Sequence, residues 1–562
     1  MTECISISNG KQNPHHDNSL IKTGCVLDLR IPNALYCGGV RNYMANISNT
    51  HHRFLILLTF IYLSIPNLLF LIGWFHPLCS VCFVVTTFLV LRRYSHIMAA
   101  TMPPVNLDTD NKKLISFALS LLLLVLFFII AGVVGYFPTH GDSWAFRQAL
   151  FLNLKDAAWP LVLPNGREMT YYLAGMLPAS LLARILPTLL QSWAILIWIL
   201  VPLAITLLYY HRKKGISLLL FTILALGFQD PLRAIFRPNA TFGQGRGFMA
   251  ELLTNLHDLT GCDFSVLTTY YGNQTLMAPF YNCIGAYNSV PATILVGILI
   301  LHLKNHVQLI PLAIAMLVPI SPFGAIACMP IALFYYLPKM SLKLLPALIF
   351  PVCLALVYAV YFMRSESGMN VVTAAWVARG SEFWVFFVRY LAGAALLLIP
   401  IYPHVKQNGL YWVLVASIIF IPMLFIGSLP NLPIIHGFNE LFHKGSIVYS
   451  MLIVVMWCEN WEKIWKPIRW AALAWAIAAT AVFCFGQAKK WDPKHQIADM
   501  WNGHLCHERD FLNQSIPETK KALIPRLILN KSGEAEEKFP GCLLPAGGQV
   551  DYNRKPHPQA FP

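Results

Sequence analysis

The sequence predicts an all-α, polytopic integral membrane protein with about thirteen transmembrane helices. Three observations predict it. Of 562 residues only 12% are charged, about half the share of a soluble domain. Apolar runs recur along most of the chain, and in lipid such runs must be helical. The formal net charge of +15 sits largely in short Lys/Arg clusters between those runs, the positive-inside pattern. A basic soluble protein would suggest nucleic acid, but no RNA- or DNA-binding motif occurs. The remaining positive charge suits anionic membrane lipids or a phosphorylated substrate.

Residues 1–53 are polar and lack the apolar core of a signal peptide. They read as a poorly ordered cytoplasmic extension, or as sequence upstream of the true start. Apolar runs at 54–75 and 77–91 form a hairpin around His76. Arg53 precedes it, and Arg92, Arg93, Lys112 and Lys113 follow it, so both flanks face inside. The run 114–136 crosses outward. The run 189–210 ends in His211-Arg212-Lys213-Lys214, an inside signal, and 216–228 returns outward. Segment 171–187 contains Pro178, Arg184 and Pro187, and reads as an amphipathic helix at the outer interface rather than a full span. Further spans fall near 288–303, 307–320, 324–337, 344–362, 384–402, 410–428, 445–459 and 470–486. Lys304, Lys339 with Lys343, Lys406, and Lys463, Lys466 and Arg469 mark the inside loops. The expected organisation is therefore a cytoplasmic extension 1–53, an N-terminal hairpin and linker 54–113, a transmembrane core 114–486 with external loops 137–187 and 229–287, and an external tail 487–562. The expected location is a cell membrane, that of a bacterial inner membrane, with the N-terminus cytoplasmic and the C-terminus external.

Many of the 13 cysteines (Cys79, Cys82, Cys328, Cys353, Cys484) fall in apolar runs, where they read as small buried side chains. Cys262 with Cys283, and Cys506 with Cys542, could each pair if their segments face an oxidising compartment. No CxxC…CxxC array and no HExxH occurs, which argues against a structural zinc or a metalloprotease site.

Four polar constellations interrupt the apolar pattern. The first lies in 137–172, with His140, Asp142 and Arg147. A carboxylate there can deprotonate an acceptor hydroxyl or hold a divalent cation such as Mg or Mn. Arg147 can pair with it or bind phosphate. The plainer alternative is a structural Asp-Arg pair or a helix N-cap. Lys155, Asp156 and Glu168 read as supporting groups. The second is Asn165-Gly166-Arg167, a turn signal, followed by Tyr171-Tyr172. These tyrosines are either interfacial belt residues or a sugar- and phosphate-binding pair. The third is 229–287, with Arg233, Arg237 and Arg246, which suit a phosphate or pyrophosphate. Its Tyr/Asn-rich run from Tyr270, Tyr271 and Asn273 to Asn288 suits a sugar, or else plugs the fold with self-satisfied polar groups. The fourth is 436–444, where Asn439, Glu440 and Lys444 precede a span. Glu440 and Lys444 share a helical face and form either a salt bridge or, through Lys444, a phosphate contact. The Gly-rich 243–247 lacks the Walker pattern.

A long outer loop opening on Asp142, the Tyr171-Tyr172 pair at the next amphipathic helix and many further spans resemble the C-type glycosyltransferase superfamily (GT-C). The run 268–295 (TTYYGNQTLMAPFYNCIGAYNSVPATIL) and the run 437–454 (GFNELFHKGSIVYSMLIV) are similar to a less characterised bacterial branch, which commonly has Arg at the place of Lys444. The resemblance covers roughly residues 114–460. It implies transfer of a sugar from a polyprenyl-phosphate donor to a glycan, lipid or protein acceptor at the outer face, with Asp142 as catalytic base or metal ligand. The alternative is a polysaccharide polymerase or ligase, or a flippase of lipid-linked sugars. A transporter should carry charges within its spans; here Arg389 is the clearest case, and the other charges gather between spans. A structural scaffold would leave the outer Arg, Asp and Tyr residues unexplained.

Overall fold

The computed structural model describes residues 40–99, 111–134, 150–151, 153–161, 172–187, 190–211, 217–228, 278–363, 371–374, 382–428 and 438–489. The chain divides into two units, Met1–Asn46 and Ile47–Pro562. Of the first, the described residues are the opening turns of a helix from Val40. All that follows concerns the second.

Helices lie at all thirteen apolar runs: α1 Val40–Trp74, α2 Pro77–Ala99, α3 Asn111–Ile130, α5 Trp193–His211, α6 Leu218–Gly227, α7 Val290–His302, α8 Ile310–Leu317, α9 Pro322–Tyr336, α10 Leu345–Met363, α11 Glu382–Leu398, α12 Gly409–Phe420, α13 Glu440–Glu459 and α14 Lys466–Lys489. The additional helix α4, Leu177–Ile185, has nine residues and at 1.5 Å per residue is about 14 Å long. It is too short to cross a bilayer of about 30 Å. Six of the thirteen are long and apolar enough to cross by themselves. They expose large apolar side chains, among them Leu119, Leu122 and Leu126 of α3 and Val81, Val85 and Phe88 of α2. Such a belt requires lipid around it. The protein is an α-helical membrane protein. Several of the other runs form shorter helices, and prolines open three of them. Pro291, Pro311 and Pro322 open α7, α8 and α9, and 3₁₀ turns at Leu303–Asn305 and Leu337–Lys339 extend α7 and α9.

Helix ends beside the cationic clusters meet at one end of the bundle. Tyr94 at the end of α2 meets the His306 ring edge-on. Tyr209 at the end of α5 stacks on His302 at 4.6 Å. Phe117 near the start of α3 meets His211. Lys339 Nζ donates to the Lys304 carbonyl. Trp457 Nε1 donates to the Leu397 carbonyl at 2.7 Å, joining the last turns of α13 and α11. Helix directions therefore alternate as the charge pattern requires.

Two segments depart from the sequence reading. Residues 278–287 were expected within an external loop, but they are folded into the core with Asn288. Ala278, Phe280, Cys283, Ala286 and Asn288 are all buried. The cause is α6, which stops after ten residues. The returning chain fills the space above it, and Phe280 N–H satisfies the Ala225 carbonyl at 2.8 Å. Cys283 is a free thiol here, donating to the Pro279 carbonyl, so the Cys262–Cys283 disulfide is absent. The second departure is from all-α. Leu424–Ser428, expected as the end of a span, is a strand (β2). It pairs antiparallel with β1, Val371–Ala374, and with β3, Phe438–Asn439. Pro422 ends the preceding helical turn, and the chain continues extended into the sheet.

Buried polar groups tie the long helices to the short ones. Asn67 of α1 donates to the Met316 carbonyl of α8 at 2.8 Å and accepts from Tyr358 of α10. Phe70, Trp74, Phe75 and Tyr361 pack around this junction. We predict that Asn67→Ala destabilises the protein by about 1–3 kcal/mol, the cost of orphaning buried partners, and Tyr358→Phe by less. Thermal unfolding in nanodiscs measures both, and an unchanged Asn67→Ala transition would contradict the assignment.

Candidate functional site

Helices α7, α9 and α13 run parallel, with their C-termini at the cationic end. A Cβ on Gly324 of α9 would meet Thr293 Oγ1 of α7 at 2.3 Å. Tyr449 of α13 donates to the Ala327 carbonyl of α9 at 2.9 Å. Ala327 also faces Gly445, where an added Cβ would lie 3.0 Å from its own Cβ. Ala327 and Gly445 each stand five residues beyond the start of their helix. Gly297 of α7 faces Val448 of α13, seven and eight residues in. The three N-termini are therefore level, at the end opposite the cations.

The described flanks of the polar stretches meet at this level. The stretch 137–172 ends at Tyr172, which is buried and packs edge-on against Phe323 in the first turn of α9. Three residues on, Gly175 presses against Asn288: a Cβ there would sit 1.8 Å from the Asn288 carbonyl oxygen. Asn288 ends the Tyr/Asn-rich run of the third constellation and precedes α7. The stretch 436–444 enters α13, with Asn439 in β3 opposite Gly427, and with Glu440 and Lys444 in the first turns of the helix.

The described residues on either side of the stretch 135–149 are held by hydrogen bonds. Before it, the Val134 carbonyl accepts from Ser192 Oγ at 3.0 Å. After it, the Phe151 carbonyl accepts from Ser180 Oγ of α4 at 3.5 Å. Arg184 of α4 donates to the Leu154 and Ala157 carbonyls at 3.0 and 2.7 Å and lies over the Trp159 ring. Lys155 pairs with Asp156 at 3.0 Å and donates to Gln191 at 2.9 Å, a bracing role. Asp142, Arg147, Arg167, Tyr171, Arg233, Arg237, Arg246, Tyr270, Tyr271 and Asn273 lie outside the described residues, and Asn439, Glu440 and Lys444 are described in backbone only.

Buried polar side chains cluster at the site. Asn282, Asn288, Ser289, Thr293 and Ser321 are each at most 3% exposed. Two of the three hydroxyls have clear tasks. Ser321 accepts from Gly324 N–H and caps α9, and Thr293 donates to the Ser289 carbonyl at 2.8 Å. The amides differ. Asn288 Nδ2 and Oδ1, and Asn282 Nδ2, are buried without a hydrogen-bond partner. Sequence reasoning took the Tyr/Asn-rich run as a whole and did not single these two out. The available signal was an Asn-Ser pair directly ahead of a Pro-started apolar helix.

Comparison with protein-family models and with solved structures finds no match for this chain.

Because the Gly175 neighbour is backbone, Gly175→Ala is expected to cost at least about 3 kcal/mol, the upper range for overpacking. Gly73→Ala, whose Cβ would meet only the Trp159 side chain, nearest at 3.2 Å, should cost less. The monodisperse fraction after detergent extraction separates them. Equal behaviour of the two variants would refute the contact.

Proposed function

We propose that the chain is a membrane glycosyltransferase. It moves a sugar from a polyprenyl-phosphate-linked donor to a glycan, lipid or protein acceptor at the outer membrane face. The observation that supports this reading is the meeting of all three stretches' flanks at one level, opposite the cationic end. Chemistry on a lipid-linked donor needs a base, phosphate-binding groups and sugar-binding groups together at one interface. Asp142 would serve as base on the acceptor hydroxyl, with or without a divalent cation. Arg147, Arg167, Arg233, Arg237, Arg246 and Lys444 would meet phosphate. Tyr171, Tyr172, Tyr270, Tyr271, Asn273, Asn439 and Glu440 would line the sugar and acceptor region. One base suffices for inverting displacement, and no covalent intermediate is needed.

Asp142→Asn should lower transfer by about 10²–10⁴-fold, the usual contribution of a general base, with membrane levels unchanged. Normal glycan formation in that variant would end the assignment. Labelled lipid-linked sugar crossing proteoliposomes without transfer would favour a flippase instead. The proposed sidedness has its own check. A phosphatase that folds only outside the cytoplasm should be active when fused after residue 487 and inactive after residue 465; the reverse result would invert the topology.

A further inference from the structure

At this site almost every buried polar side chain supports backbone. Ser321 caps α9, Thr293 bonds the turn above α7, and Tyr449 satisfies a carbonyl of α9. Asn288 does none of this. Its amide is 2% exposed as a residue, stands two positions ahead of α7, and both its nitrogen and its oxygen lack partners. Asn282 Nδ2, six residues earlier, is orphaned too. Leaving such groups unbonded away from water is costly, whereas an apolar side chain of the same size would cost nothing. A fold under selection for stability alone would place leucine here.

The two free atoms specify the chemistry of what they bind. Nδ2 offers hydrogens and Oδ1 needs one. An anion could satisfy the nitrogen but would repel the oxygen. A hydroxyl satisfies both, accepting from Nδ2 and donating to Oδ1. We infer that Asn288, supported by Asn282, is a recognition site for a hydroxyl pair of a glycosyl group. This deepens the proposed function by naming residues for the sugar, and it rests on that reading for the identity of the ligand.

The test is thermal unfolding in nanodiscs with hexyl glycosides (glucoside, galactoside, mannoside, rhamnoside and N-acetylglucosaminide) and with hexyl phosphate as the anionic control. In the unmodified protein at least one glycoside should raise the transition by a few degrees and hexyl phosphate should not do so through Asn288. Asn288→Leu should unfold at or above the unmodified protein without ligand, because an orphan is removed, and should lose most of the glycoside shift. Asn288→Ala gives the same binding readout if leucine does not fit. The inference is overturned if no glycoside acts, if the shift survives both variants, if the phosphate shift is the one lost, or if both variants unfold well below the unmodified protein. The readout involves no transfer and no Asp142. Glycan formation surviving Asp142→Asn alongside an Asn288-dependent glycoside shift would remove the transferase reading and keep this one.

Discussion

The hydrocarbon slab supplies no hydrogen bonds, and the rest of this structure follows from how the chain meets that demand. Long helices close their own ladders. This protein also buries short ones, and each short helix exposes its last carbonyls inside the protein. The side chains that answer are specific. Asn67 bonds Met316 in the last turn of α8, and Trp457 bonds Leu397 in the last turn of α11. Phe280 N–H bonds Ala225 near the end of α6, and Arg184 bonds Leu154 and Ala157. Each tie also joins two elements, so satisfying the backbone and fixing the tertiary arrangement are one event.

That demand explains the shape of the site. Helix α6 halts after ten residues, so another segment must fill the depth it leaves. Residues 278–288 do so, as buried irregular backbone that is tolerable only because protein surrounds it. They deliver Asn288 to the level at which α7, α9 and α13 begin. Gly175 then lets the chain after Tyr172 close directly on the Asn288 carbonyl. A side chain at 175 would collide with that carbonyl and push the α4 segment away from the start of α7.

Most of the helical frame was legible in the sequence, because it rests on local quantities. Apolar runs gave the position of every long helix, and Lys/Arg clusters gave alternating direction, which ring contacts such as Tyr209 on His302 bear out. What was not legible depends on neighbours. Leu424–Ser428 is as apolar as a span and becomes a strand only because β1 and β3 flank it. The 278–288 run has the composition of an exposed loop and is buried only because α6 is short. Asn282 and Asn288 look like ordinary loop polar residues until their surroundings are known. Cys283 looked available for a disulfide until its segment turned out to be core.

The two ends of the bundle differ electrostatically, and the difference bears on what the site can hold. At the cationic end Lys339 reaches the Lys304 carbonyl in the 3₁₀ turn that extends α7, and Arg469 bonds the Trp461 carbonyl in the turn after α13 and Glu462. Those dipoles are compensated. At the other end neither α7 nor α9 has an acidic residue in its first turn, so two parallel N-terminal dipoles add at one level without a counter-charge of their own. The field there favours negative charge, while the unbonded Asn288 amide calls for a neutral group that both donates and accepts. No single phosphate and no single hydroxyl answers both demands. A sugar joined to a phosphate, the donor class proposed above, would answer both.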